Sequence, residues 1–133
     1  MTYLLDTNVC VAMFRGNAGV RRGVLSQNPD DIFLCSPVIA ELYVGAYKSQ
    51  FRRSNILLIE ELLRDYECLH STTRESLKFA DIVSGMSSLG KAGTVFDLQI
   101  ASIALSHGLT VVTNDADFSH IPNLAIEDWT IPI

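Results

Sequence analysis

Four acidic side chains, Asp6, Glu41, Asp97 and Asp115, have the type and setting to do chemistry together if the fold gathers them. Asp6 ends the apolar run Tyr3-Leu4-Leu5 and is followed by Thr7 and Asn8. In an open α/β sheet, ligands bind beyond the carboxyl ends of the strands, where such an acid would lie. Two unit charges about 5 Å apart at an effective dielectric near 20 repel by roughly 3 kcal/mol, so several carboxylates in one pocket need a cation. Hard divalent ions such as Mg²⁺ or Mn²⁺ take oxygen ligands and keep several waters. Held in an open carboxylate site, they serve phosphate chemistry by activating a water and stabilising the leaving oxygen.

Each acid also has a purely local explanation. Asp6 could cap the helix that follows it. Thr94-Val95-Phe96-Asp97 fits a capping box, and an acid in a first helical turn is favoured by the helix dipole. Asp115 and Asp117 fall in a turn, where Asp bonds nearby backbone. Glu41 is different: three and four residues away stand Pro37, Val38, Val44 and Gly45, none of which can pair with it. An unpaired Glu on an apolar face is either exposed or facing a cation.

The elements that must position these acids alternate. Tyr3–Leu5 reads as a strand, then a short helix from Val9 to Phe14, a break at Gly16-Asn17-Ala18-Gly19, and a second helical piece from Val20 to Gln27. Ile32–Cys35 is a fully apolar strand, and Ser36-Pro37 announces a helix to Ser49, with Ser at the N-cap and Pro in the first turn. A longer helix spans Phe51 to Tyr66 with Ile59, Leu62, Leu63 and Tyr66 on one face. Cys68-Leu69-His70 is a third strand, and Thr72-Thr73-Arg74-Glu75 a capping box for a helix buried along Leu77, Ala80, Val83 and Leu89. After a loop at Gly90-Lys91-Ala92-Gly93, a helix from Val95 to His107 stops at Gly108. Leu109–Thr113 and Leu124–Glu127 supply the last two strands. Alternation of this kind means a parallel sheet with helices on both faces.

The 133 residues form one domain large enough to bury a core. Apolar residues make up 48% and charged residues 19%, so part of the surface is expected to be hidden in a partner or a second copy. No apolar run approaches membrane-spanning length, and the N-terminus has no basic segment of a secretory signal. Cys10, Cys35 and Cys68 are odd in number and lack ligand spacing, which fits small core residues in a reducing cytoplasm and argues against structural zinc. The net charge of −5 is unevenly spread. Residues 1–53 carry six of the ten basic residues (Arg15, Arg21, Arg22, Lys48, Arg52 and Arg53) against four acids. Those six are candidates for contact with a nucleic-acid backbone, or simply a solvated helix surface.

Four blocks, in order, resemble the signature of PIN-domain ribonucleases: Leu5-Asp6-Thr7-Asn8, Ser36 to Leu42, Phe96 to Ala101 and Thr113 to Phe118. In size and in the Glu41 to Ser49 run the chain is most similar to VapC-type toxins of toxin–antitoxin pairs. The resemblance spans residues 1–133 as a single PIN domain and implies a sheet ordered 3-2-1-4-5. It places Asp6, Glu41, Asp97 and Asp115 on the family's catalytic, metal-holding quartet, with one or two Mg²⁺ or Mn²⁺ ions. Asp117 becomes an outer-shell ligand that can share the task of Asp115, while Thr113, Thr7 and Asn8 orient the site. The resemblance further implies hydrolysis of RNA by a metal-activated water, a homodimer, a VapB-type antitoxin and a cytoplasmic location. Where relatives often have Gly-Pro before Phe-Asp, Gly93-Thr94-Val95 stands here, which concerns loop shape. The rival reading is a PIN-fold module that binds RNA or protein without catalysis. A phosphoacceptor receiver domain is disfavoured, because no adjacent acidic pair follows the first strand and no lysine follows a late one.

Overall fold

A computed structural model describes residues 1–86 and 94–131. Five parallel strands form one sheet: β1 (Tyr3–Leu5), β2 (Ile32–Cys35), β3 (Glu67–Leu69), β4 (Thr110–Val112) and β5 (Ile126–Glu127), in the spatial order β3-β2-β1-β4-β5. The helices are α1 (Thr7–Phe14), α2 (Ala18–Leu25), α3 (Ser36–Lys48), α4 (Arg52–Asp65), α5 (Thr73–Met86) and α6 (Val95–His107). Central strands enclosed on both faces must be apolar throughout, and Tyr3, Leu4, Leu5, Leu34, Cys35, Val111 and Val112 are all buried. The order reverses at β1, whose two neighbours are β2 and β4, so their carboxyl ends open one crevice.

The helices follow the sequence reading closely, with three informative differences. First, α1 begins at Thr7, two residues early, because the Asp6 carboxylate accepts the Thr7 N–H and starts the helix at once. Second, Ser36 is not the cap of α3. It is already helical, Cys35 occupies the cap position, and no side-chain bond closes that end. Pro37 in the first turn makes this tolerable, since it has no N–H to leave unpaired.

The third difference is in α5, whose buried residues are Glu75, Ile82 and Met86. Leu77, Ala80 and Val83 face solvent, contrary to the apolar periodicity, and Leu89 lies outside the described residues. Glu75 sets the rotation. Its carboxylate accepts both the N–H and the hydroxyl of Thr72 at 3.0 and 2.6 Å and faces His107 of α6 at 3.6 Å. The Thr72 hydroxyl holds this carboxyl below its ordinary pKa. Thr72 donates to Glu75 rather than accepting from it, so only the side-chain half of the expected capping box exists.

The cysteines fill space. Cys10 and Cys35 are buried and Cys68 is half-buried, all as free thiols. Burial pushes Cys35 up to about 12 and Cys10 higher still, so neither supplies a thiolate.

The C-terminal segment is pinned across α2 by two glycines one turn apart. A Cβ on Gly19 would lie 2.4 Å from the Trp129 carbonyl oxygen, and one on Gly23 would lie 2.6 Å from the indole ring. Trp129 packs edge-on against Tyr3 of β1, with ring centroids 5.0 Å apart, and its indole N–H donates to Glu127. The sequence holds a single tryptophan, so this contact has its own fluorescence reporter. Gly23→Ala should drive the indole off α2, lower stability by about 1–3 kcal/mol and shift emission to the red. Unchanged emission and unchanged unfolding midpoint would mean that the close approach does not constrain the segment.

Candidate active site

Asp6 lies at the carboxyl end of β1, 3% exposed, and its two oxygens are used separately. Oδ1 accepts the Thr7 N–H at 2.8 Å, and Oδ2 accepts the Thr113 hydroxyl at 2.7 Å. Thr113 follows β4, so this second bond fastens the ends of the two adjacent strands together. The same Thr113 oxygen accepts the Asp115 N–H at 3.0 Å, which turns the chain so that Asp115 stands beside the crevice. Asp115 in turn accepts the Asp117 N–H at 2.9 Å and opens the 3₁₀ segment Ala116–His120.

Glu41 reaches the same crevice from the first half of α3. Its Oε1 accepts the Thr7 hydroxyl at 2.7 Å, across 34 residues of sequence. No lysine or arginine pairs with it among the described residues. Asp97 approaches from the N-terminus of α6. The capping box is complete there: Asp97 N–H donates to the Thr94 hydroxyl at 3.1 Å, and Thr94 N–H donates to Asp97 Oδ2 at 3.2 Å. One carboxylate oxygen is thus spent on the helix end and the other is left for a ligand.

The local explanations and the functional one are therefore compatible. Asp6 and Asp115 are N-caps and Asp97 completes the capping box of Thr94, and these bonds hold each side chain in place. One oxygen each from Asp97, Asp115 and Asp117 lies within 4.8 Å of the others. In an octahedron of radius near 2.1 Å, ligand oxygens are roughly 3.0 or 4.2 Å apart, a spacing that small side-chain rotations would bring within reach. The donors are all carboxylates, with no Cys or His among them, which suits a hard divalent cation.

Asp6 and Glu41 stand outside that tight triad but within its field. Burial pushes Asp6 up to about 6, against the bonds from Thr113 and Thr7 that favour its charge, and Asp97 and Glu41 add repulsion. Asp97 is also raised, first by burial and then by Asp115 and Asp117, despite its bonds with Thr94. These mutual effects tie all five acids into one electrostatic unit. The structure brings Asp117 closer to Asp97 than the sequence suggested; the signal was the alternate spacing of Asp115 and Asp117 in a short turn.

Thr7 and Thr113 both touch an acid, whereas Asn8 is exposed and has no such bond among the described residues. Of the six basic candidates, Arg15 alone lines the apolar groove of about 450 Å³ that also contacts Thr7 and Glu41. Arg52 stacks over the Tyr47 ring at 4.4 Å and donates to the Tyr47 carbonyl. Arg21, Arg22, Lys48 and Arg53 are exposed on α2, α3 and α4, and none is paired with the cluster. Two features beside the site escaped the sequence reading: the apolar groove between α1, α3 and α4, and a polar cleft bounded by Asn8, Arg15 and Asn114.

The raised Asp6 has a measurable consequence in metal-free protein. Folded, it keeps its proton up to about pH 6; unfolded, only to near 3.8. Stability from this group is therefore present in full below about pH 4 and is lost as pH rises through 6, on the order of 3 kcal/mol in all. In a chelator, Asp6→Asn should melt above the wild type at pH 7.5, with the gap shrinking toward pH 5. A variant that melts below the wild type at pH 7.5 would show that Asp6 is not held against its charge.

Comparison with known proteins gives one answer throughout. The PIN domain family matches residues 3–124. Ribonuclease VapC2 of Haemophilus influenzae is 31% identical over 130 residues, covering 97% of this chain and 98% of that protein. The tRNA(fMet)-specific endonuclease VapC of Salmonella typhimurium is 30% identical over 97% of this chain and 98% of its own length. Among solved structures, DNA-bound VapBC from Salmonella typhimurium superposes with a TM-score of 0.89 at 30% identity, covering 97% of this chain and 98% of that one. VapBC2 from Rickettsia felis, bound to a promoter DNA fragment, gives 0.87 at 30% identity, covering 97% and 99%.

Proposed function

The chain belongs to the PIN-domain family, and we propose that its five-acid crevice is the metal-holding centre of an endoribonuclease. The activity class is that of the VapC ribonucleases, the toxins of toxin–antitoxin pairs, with a VapB-type antitoxin as partner. The observation that carries the site assignment is the convergence of Asp97, Asp115 and Asp117 oxygens within 4.8 Å, in electrostatic contact with buried Asp6. A non-catalytic module has no need to keep such mutually repelling charges together.

In this reading Asp6, Glu41, Asp97 and Asp115 hold one or two Mg²⁺ or Mn²⁺ ions, and Asp117 contributes directly or through water. When bound, the ion supplies Lewis-acid polarisation of a scissile phosphate and activation of a water. The chain's own residues supply the geometry. Thr113 fixes Asp6 and Asp115 relative to each other, and Thr7 does the same for Asp6 and Glu41. Arg15, which lines the same groove as Glu41, is a candidate to draw an RNA phosphate toward the crevice, and Arg21, Arg22, Lys48, Arg52 and Arg53 are further candidates for contact with the RNA backbone. The products carry 5′-phosphate and 3′-hydroxyl ends.

The apolar groove beside Glu41, walled by Val11, Phe14, Leu42 and Leu58, suits an amphipathic segment of the antitoxin. A cation on that segment would neutralise the acids and exclude the metal. Among the described residues, no helix is long and apolar enough to cross a membrane. A cytoplasmic location and a homodimer complete the proposal and agree with the free thiols and the apolar composition.

Two measurements test the centre. Asp97→Asn retains the cap acceptor for Thr94 N–H but loses the charge, so it should fold normally and cut RNA at least 100-fold more slowly with Mn²⁺. Cleavage at wild-type rate, or cleavage that survives EDTA, would remove the acids from the mechanism. Thr7→Val removes the hydroxyl that orients Glu41 and should weaken Mn²⁺ affinity or activity by about 10- to 100-fold. Calorimetric titration with Mn²⁺ separates this positioning role from a general loss of structure.

A further inference from the structure

The polar cleft that adjoins the apolar groove along α1, sharing Val11 and Arg15 with it, is a second feature of this face. It encloses about 480 Å³ and is bounded by Asn8, Arg15, Asn17 and Asn114, with Val11 and Ala12 on its wall. Its position is fixed by the acids themselves. Asn114 is the residue between Thr113, which bonds Asp6, and Asp115, while Asn8 lies two residues beyond Asp6 on the first turn of α1. A nucleotide whose phosphate meets the carboxylates therefore has this cleft within reach of its neighbouring base.

The donor set points to a base rather than a phosphate. Phosphate oxygens only accept, and Arg15 alone would serve them. Asn8 and Asn114 each present a donor and an acceptor side by side, and neither amide has an intramolecular hydrogen bond among the described residues. Asn17 is already committed: its Oδ1 accepts the Val20 N–H at 3.0 Å, so only its NH₂ remains to donate. Arg15 has no acid within ion-pair distance among the described residues. Amides and guanidinium groups side by side match the Hoogsteen edge of a purine, where N7 stands beside N6 or O6. Pyrimidines offer no such pair on that edge. The methyl groups of Val11 and Ala12 give the ring an apolar surface, and single-stranded RNA can splay a base into such a cleft.

We propose that the cleft bounded by Asn8, Arg15, Asn17 and Asn114 seats a purine base flanking the scissile phosphate and sets the sequence preference of cleavage. This rests on the ribonuclease assignment, and the test separates the two. A randomised single-stranded RNA library is cut by wild-type protein with Mn²⁺, and the same library is selected for binding to the Asp97→Asn protein.

Both experiments should enrich purine at one flanking position. Asn114→Ala and, separately, Arg15→Ala should flatten that preference by roughly tenfold or more, the scale of one bidentate base contact. Asn114→Asp keeps the acceptor and loses the donors, so it should disfavour purine without unfolding an exposed position. No positional preference, or a preference untouched by all three substitutions, overturns the cleft. Purine enrichment in the binding selection without any cleavage by wild type would overturn the nuclease assignment and leave the cleft standing.

Discussion

Carboxylates repel, and the architecture around them exists to prevent their separation. An isolated acid at a strand end turns toward water. Here each is held by a bond that would have to break first: Asp6 by Thr7 and Thr113, Asp97 by Thr94, Asp115 by its own turn and Glu41 by Thr7. Burial first, and then the neighbouring charges of Asp97 and Glu41, hold the Asp6 carboxyl above its ordinary range. A cation bound among these acids would relieve that repulsion, and the free energy that the metal-free fold lacks would then appear as affinity for the ion. A site built this way is selective for charge before it is selective for geometry.

The parallel sheet supplies the rigid frame on which such repulsion can be sustained. Placing β1 between β2 and β4 brings residues 6 and 113 into direct contact although 107 positions separate them in sequence. The helix that follows each strand must start near that edge, and helix starts attract acids because their first N–H groups lack partners. Asp6, directly after β1, exploits this by accepting the Thr7 N–H, and Asp97 does the same at the start of α6 by accepting the Thr94 N–H. Capping and ligation would thus be two uses of one preference, which explains why three of the acids read equally well either way from sequence.

Most strands were legible because an enclosed parallel sheet demands short apolar runs, and Ile32–Cys35 was bounded without error. The α6 helix was equally plain, with a capping box at one end and Gly108, at φ +67°, at the other. The failures have one cause. Sequence patterns report the preference of a residue in isolation, and tertiary contacts override it. The buried face of α5 was misjudged because a hydrogen-bonded Glu75 turned inward while Leu77 turned out. Ser36 was expected to cap α3, but strand β2 runs straight into that helix with no residue left over. The four motif acids were legible as types at spacings. Their meeting was not, because no local signal records which strand lies beside β1. The promotion of Asp117 into the tight triad depends on a turn geometry that spacing alone does not specify.

The active face divides into two unlike surfaces at Arg15, which borders both. On the α3–α4 side the walls are apolar, and on the side of Asn17 and Asn114 they are amides. These chemistries suit different occupants: an amphipathic protein segment needs the first, whereas a splayed nucleotide needs hydrogen-bonding edges and gains less from the second copy of an apolar wall. An inhibitor seated in the apolar groove would still silence the nuclease, because Glu41 and Thr7 belong to that groove as well as to the acid crevice. Inhibition and substrate selection can then change independently over the same few residues of α1. The shared ridge at Arg15 is where the two must compete.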